Sequence, residues 1–220
     1  MSHRQLQIQG QPNVWPPSWP MGLTMLRLVL LPLFLWLILA GQGRAAPGYR
    51  YSAIGVLGVM AVTDKLDGYL ARRLHQTSHI GALLDPVADK LLIACSVLLL
   101  SFDSMVPGGY AIPKPVFIAV YGKDVIVAMG TVALLYAAGR VSIAPRPLGK
   151  LSTFLQLVMI LATLLSPEMR RSQSGGAHAA IKILWWLVVG VAAASCVDYL
   201  IAGTRQFAAH RAQRNAILGR

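Results

Sequence analysis

The chain has 220 residues, of which 55% are hydrophobic and 13% charged, and its formal net charge is +12. An average soluble domain is about a quarter charged, so this composition excludes an ordinary water-soluble globule and points to helices packed in lipid. Its basic residues are scattered through short loops, which fits attraction to an anionic lipid bilayer and to anionic substrates and argues against nucleic acid.

The first 20 residues contain Pro12, Pro16, Pro17 and Pro20 together with Trp15 and Trp19. Proline interrupts a helix and tryptophan favours the membrane interface. Residues 1–20 therefore read as an amino-terminal interfacial arm, not as the apolar core of a cleavable signal. Apolar runs follow at about Thr24–Ala40, Tyr51–Leu74, Ile80–Ser101, Pro113–Ala138, Leu148–Leu165 and Ala179–Ile201. Each approaches the roughly 20 residues that a helix needs to cross a bilayer. Gly41, Gly43, Pro47, Gly48, Pro107, Gly108, Gly109, Pro145, Pro147, Gly175 and Gly176 punctuate the connections. The expected fold is an all-α integral membrane protein with six transmembrane helices over residues 21–204 and a basic cytoplasmic tail over 205–220.

Orientation follows from the distribution of Lys and Arg. With both termini inside, the inner side holds Arg4, Arg72, Arg73, Arg140, Arg146, Lys150, Arg205, Arg211, Arg214 and Arg220. The outer side holds Arg44, Arg50, Arg170 and Arg171, with Lys114 and Lys182 near it. The bias puts the termini in the cytoplasm, and the expected location is the cell inner membrane. Cys95 and Cys196 lie in spans and read as small apolar residues, with no disulfide and no thiolate metal site.

Four of the eight carboxylates, Asp64, Asp67, Asp85 and Asp89, fall between the ends of the second and third spans. In apolar surroundings they would repel one another and lose their water, so a positive partner must neutralise them. Asp64 and Asp67 are three residues apart and Asp85 and Asp89 four apart, so each pair shares one helix face. Two helices joined by a short loop then aim four carboxylates at one point, which suits one or two hard divalent cations. Mg²⁺, or Mn²⁺ in its place, favours such oxygen donors together with substrate phosphate. Gly68 follows Asp67 and costs the helix about 1 kcal/mol relative to Ala, which implies close approach by a backbone or a ligand. Gly81, one turn before Asp85, carries the same implication, Ala71 continues the small face, and Arg72 stands ready for a phosphate.

The pattern Asp-x2-Asp-Gly-x2-Ala-Arg-x8-Gly-x3-Asp-x3-Asp, met by Asp64, Asp67, Gly68, Ala71, Arg72, Gly81, Asp85 and Asp89, resembles the signature of the CDP-alcohol phosphotransferases. The resemblance implies the six-helix fold of that family, with the motif on the second and third helices. It implies transfer of a phosphatidyl or related group from a CDP-linked donor to an alcohol, with release of CMP. It further implies that Asp64, Asp67 and Asp85 bind two divalent metals. Asp89 would also lie at the metal site and act as the general base, and Gly68 and Arg72 would contact the cytidine diphosphate. Family members are often homodimers.

Beyond the signature, Leu23-Thr24-x2-Arg27, Thr63, Tyr69-Leu70, Leu84, Pro86, Ala88, Lys90, Gly149-Lys150-x2-Thr153-x2-Gln156 and Asp198-Tyr199 resemble the bacterial phosphatidylglycerophosphate synthases of the family. CDP-diacylglycerol would then be the donor and glycerol 3-phosphate the acceptor. Met21 and Lys123-Asp124 depart from that pattern, and Gly122-Lys123-Asp124-Val125 also resembles the CMP-forming cardiolipin synthases, which use phosphatidylglycerol. A phosphate dianion needs cations, for which Lys150 and Lys123 are the leading candidates, followed by Arg140 and Arg146. Arg27, just inside the first span, is expected to meet the metal site or a phosphate. Asp124 and Asp198 read as partners of neighbouring groups, His75 and His79 as solvated loop residues, and Trp185 and Trp186 as packing or interfacial residues. A non-catalytic divalent-cation channel or transporter would share the carboxylates but would not require the spacing of Gly68, Ala71, Arg72 and Gly81.

Overall fold

A computed structural model describes the backbone of residues 19–42, 47–74, 79–106, 109–138, 147–171 and 175–218, and the side chains of 25–42, 47–64, 66, 88–106, 109–132, 147–171 and 176–204. The described residues form six α-helices: α1 (Trp19–Ala40), α2 (Pro47–Leu74), α3 (His79–Leu99), α4 (Lys114–Ala138), α5 (Pro147–Arg171) and α6 (Gly175–Leu218). A single 3₁₀ turn, Asp103–Met105, lies between α3 and α4.

Several boundaries differ from those read in the sequence, each for a local reason. Pro47 and Pro147 open α2 and α5 instead of preceding them. At the first helical position proline has no needed N–H to lose, and its φ is already helical. α5 runs past the expected end near Leu165 to Arg171 although Pro167 lies inside it. Pro167 cannot donate to the carbonyl of Thr163, and the Ser166 hydroxyl does so instead at 2.7 Å. α6 does not stop near Ile201 but continues to Leu218, so the segment expected as a basic tail has a helical backbone to that residue. α1 begins at Trp19, within the expected arm; the rest of the arm lies outside the described residues.

α1 packs on α2 and α3, while α6 packs on α4 and α5, and α3 and α2 meet α5 between these groups. The core joins Phe34, Ala53, Met60, Ile93, Val97, Val120, Met159, Ile160 and Val188. Trp185 is packed inward whereas its neighbour Trp186 points outward. Val29, Trp36, Ile118, Met129, Ile183 and Trp186 are large apolar residues left exposed, an outer surface that lipid, not water, must cover. α4, α5 and α6 contain segments long and apolar enough to cross a membrane: Lys114–Val132, Pro147–Arg171 and Gly176–Thr204. α1 contributes the shorter apolar stretch Met25–Ala40. Within this bundle Thr63, Ser96, Ser101, Thr131 and Thr153 return their hydroxyls to carbonyls four residues earlier, which satisfies polar groups where lipid offers no partner. The chain is a multi-pass membrane protein.

One end of the bundle is closed by the connection from α3 to α4. Leu100, Val106 and Ile112 are buried, and Ile112 N–H donates to Leu100 C=O at 2.9 Å. Ser166 locks this plug to α5, since its oxygen accepts from Tyr110 N–H at 2.8 Å while its proton goes to Thr163. At the same end Arg50 of α2 pairs with Glu168 of α5, and Tyr51 donates to the same carboxylate oxygen at 2.9 Å. Arg170 lies over the Tyr110 ring. Arg50 and Arg170, which weigh against the Lys/Arg bias, are thus both engaged by the protein itself.

Replacing Ser166 by Ala should orphan the Thr163 carbonyl and the Tyr110 amide together, at about 1–3 kcal/mol for each buried group left unpaired. Thermal unfolding in detergent should show a lowered midpoint, while ligand binding at the opposite end of the bundle stays as in the wild type.

Candidate functional site

The far end of the bundle gathers the charged residues. Arg27 on α1 is 1% exposed. Its guanidinium reaches Asp64 Oδ1 on α2 at 2.8 Å and Asp89 Oδ1 on α3 at 3.3 Å. A buried arginine in a lipid-embedded helix needs an anionic partner, and two carboxylates at one point need a cation. The three helices satisfy both requirements at one place. The Asp64 and Asp89 side chains remain 52% and 41% exposed, so neither is sealed inside the bundle.

A second cluster lies alongside. Asp124 on α4 accepts from Lys90 of α3 at 2.6 Å and pairs with Lys123 at 3.0 Å. Lys123 is only 6% exposed and also donates to Ser152 of α5 at 3.1 Å. The Ser152 hydroxyl in turn lies 3.4 Å from Gln156 Nε2. Asp124 therefore partners neighbouring cations, as its sequence context implied. Lys123 already shares Asp124 with Lys90, whereas Lys150 makes no ion pair with any described residue.

Both clusters border one cavity of about 740 Å³. Its polar end is formed by Asp64, Lys90, Lys123, Asp124, Lys150, Thr153, Ser195 and Tyr199. Its walls are apolar: Ile54, Leu57, Gly58 and Ala61 from α2 face Phe154, Leu157, Val158 and Leu161 from α5. From Ile54 to Ala61 the wall runs about 10 Å along the helix axis. Phe154 and Leu161 line the cavity and are exposed, so its apolar part is not sealed within the bundle. No side chain intrudes at Gly58, where an added Cβ would meet nothing within 4 Å. Gly149 does the opposite, since an added Cβ would come within 3.0 Å of the Tyr199 hydroxyl. The glycine is what lets α5 and α6 approach beside Lys150.

Among the sequence-derived site residues, the structure thus brings together Asp64, Asp89, Lys123 and Lys150, with Arg27 as the counter-ion. Asp67, Gly68, Ala71 and Arg72 belong to α2, and Gly81 and Asp85 to α3. Their side chains lie outside the described residues, as do those of His75, His79, Arg140 and Arg146. Ser195 was not singled out by sequence reasoning. Its hydroxyl is buried on the cavity wall without a hydrogen-bond partner among the described residues, and a lone serine in an Ala-rich stretch of α6 gives no motif to find it by.

A divalent cation fits the described donors. Asp64 and Asp89 supply hard oxygen ligands from two helices, both within reach of one guanidinium and both part-exposed. Hard cations of the Mg²⁺ type take such ligands and keep positions for water or phosphate.

The buried Lys123–Asp124 pair makes a separate prediction. Asp124→Ala should destabilise the protein by on the order of 3 kcal/mol, because it strands the Lys123 charge. Adding Lys123→Met should restore most of the loss. Thermal midpoints of the single and double variants in detergent measure the recovery.

A sequence profile of the CDP-alcohol phosphatidyltransferase family matches residues 18–197. The CDP-diacylglycerol--glycerol-3-phosphate 3-phosphatidyltransferase of Escherichia coli (strain K12) is 32% identical over 178 residues, covering 80% of this chain and 93% of that protein. A chloroplastic CDP-diacylglycerol--glycerol-3-phosphate 3-phosphatidyltransferase 1 from Oryza sativa subsp. japonica is 32% identical over 158 residues, 67% of this chain and 47% of that protein. The human cardiolipin synthase (CMP-forming) is 27% identical over 215 residues, 88% of this chain and 65% of that protein. The matched segment runs from the start of α1 into α6 and contains Arg27, Asp64, Asp89, Lys123 and Lys150; the chain belongs to the CDP-alcohol phosphatidyltransferase family.

Proposed function

We propose that the protein transfers the phosphatidyl group of CDP-diacylglycerol to glycerol 3-phosphate, giving phosphatidylglycerophosphate and CMP. The observation that carries this reading is the cavity itself. It joins a carboxylate and cation end to apolar walls that are not sealed within the bundle, which is the shape of a substrate with a charged head and acyl chains. The bacterial relative matched over most of both chains bears the name of this activity.

The family generally uses divalent metal ions. In this reading Asp64, Asp67, Asp85 and Asp89 hold two ions, Mg²⁺ or Mn²⁺. When bound, such ions supply positive charge for the donor pyrophosphate and the departing CMP. The chain's own residues do the rest. Gly68, Ala71, Arg72 and Gly81 accommodate the cytidine diphosphate. The α2 and α5 walls keep the acyl chains in the bilayer and aim the phosphatidyl phosphorus at the charged end. Lys150 binds the acceptor's phosphate, and Lys123, fixed by Asp124 and Ser152, adds positive potential at the same wall. Asp89 takes the proton of the attacking hydroxyl. The new bond joins that oxygen to the phosphatidyl phosphorus, and the bond to the CMP oxygen breaks. The active end faces the cytoplasm of the inner membrane in this reading, where glycerol 3-phosphate and the nucleotide are dissolved.

The human cardiolipin synthase likeness supports a second reading, in which phosphatidylglycerol is the acceptor. CMP release by purified protein with CDP-diacylglycerol and each acceptor separates the two. Turnover is expected with glycerol 3-phosphate and should vanish in chelator; turnover with phosphatidylglycerol alone would reverse the assignment.

Two substitutions test the roles. Asp89→Asn should lower kcat by a factor on the order of 10² or more while changing donor binding less; loss of donor binding with kcat preserved would remove Asp89 from the role of base. Lys150→Ala should raise the apparent KM for glycerol 3-phosphate, and added salt should raise it in the wild type, because a charge-assisted contact to a dianion is lost or screened. A KM that responds to neither would take Lys150 out of the acceptor site.

A further inference from the structure

Arg27 has a property that the transfer reaction alone does not require. It is 1% exposed, yet it touches Asp64 and Asp89, two part-exposed carboxylates. The bridge therefore crosses three helices, α1, α2 and α3, at the point where a divalent cation would sit. Without any cation there, Asp64 and Asp89 would stand as neighbouring anions at the edge of an apolar bundle, and their repulsion would push α2 from α3.

We infer that Arg27 is the built-in counter-cation of the metal-free protein: it holds Asp64 and Asp89 together until divalent cations load, and it gives up those carboxylate oxygens when they do. The inference rests on reading Asp64 and Asp89 as metal ligands. Its physical basis is Coulombic. A guanidinium and a divalent cation drawn to the same two oxygens repel each other across a few ångströms, and the surroundings are too apolar to screen them well. Each partner that keeps the carboxylates occupied thus lowers the affinity for the other. Arg27 is a positioning residue in this scheme, since it acts through the aspartates.

The test uses the full chain purified in detergent and Mn²⁺ as the probe, with bound and free Mn²⁺ counted by electron paramagnetic resonance and unfolding followed by temperature. Arg27→Met should lower the unfolding midpoint in chelator, and saturating Mn²⁺ should close most of that gap with the wild type. The same variant should bind Mn²⁺ about tenfold more tightly or better, the scale of a charge-assisted hydrogen bond that no longer has to be broken. Arg27→Lys keeps the charge but reaches one carboxylate in place of two, so its Mn²⁺ affinity should fall between the two proteins. That variant decides the matter if Arg27→Met does not fold. A stability gap unchanged by Mn²⁺ would overturn the inference by making Arg27 a purely structural group. Weaker Mn²⁺ binding in the variants would overturn it by making the arginine an aid to the metal. Binding equal in all three proteins would overturn the inference alone, while absence of Mn²⁺ binding in all three would overturn the metal reading along with it.

Discussion

The fold turns on a single electrostatic constraint: a buried arginine on α1 pairs with one carboxylate on α2 and one on α3 where these helices meet. The buried arginine is not tolerable alone in such surroundings, because an isolated charge in an apolar setting costs several kcal/mol. Its meeting with the two carboxylates fixes how far α1 slides along α2 and α3, and so which end of the bundle can be polar. The remaining charges follow the same rule. Lys90 and Lys123 share Asp124, and Arg50 shares Glu168 with Tyr51 at the opposite end. The two ends are locked by different chemistry. The end with Glu168 carries the connection between α3 and α4, with Leu100, Val106 and Ile112 buried, whereas Asp64 borders the cavity at the other end.

That asymmetry is what a lipid-handling transferase needs. The charged end offers part-exposed carboxylates and a lysine without a described ion-pair partner. The walls rising from it are lined by Ile54, Leu57, Phe154, Leu157 and Leu161. A reaction between a membrane-bound donor and a water-soluble acceptor must take place at such a boundary. A head group that enters the polar end can keep its acyl chains in lipid, because the wall between α2 and α5 is exposed at Phe154.

Much of this was legible in the sequence. Six apolar runs with Pro and Gly between them became six helices, and an arginine inside the first run had to find anions. The spacing of the aspartates placed them on helix faces that the structure directs to a common end for Asp64 and Asp89. Asp124 read in the sequence only as a partner of neighbouring groups; that those groups are Lys90 and Lys123 came from the packing of α3 against α4. Other features depend on contacts that no local pattern encodes. Pro167 looks like a helix stop, yet α5 continues because the Ser166 hydroxyl takes over the missing donor. Arg50 and Glu168 are separated by 118 residues, and only the packing of α2 against α5 makes them a pair. The apolar wall of the cavity draws on residues that read as ordinary span residues, and Ser195 carries no signal at all.

In the proposed binding mode, the nucleotide end of the donor lies against Asp64 and Asp89 while its acyl chains lie between α2 and α5. An experimental structure of the protein with Mn²⁺ and CDP-diacylglycerol tests it most directly. The account predicts metal and pyrophosphate density at the aspartates and chain density along Ile54, Leu57, Phe154 and Leu161. Pyrophosphate bound away from Asp64 and Asp89, or acyl chains leaving the bundle by another face, would contradict it.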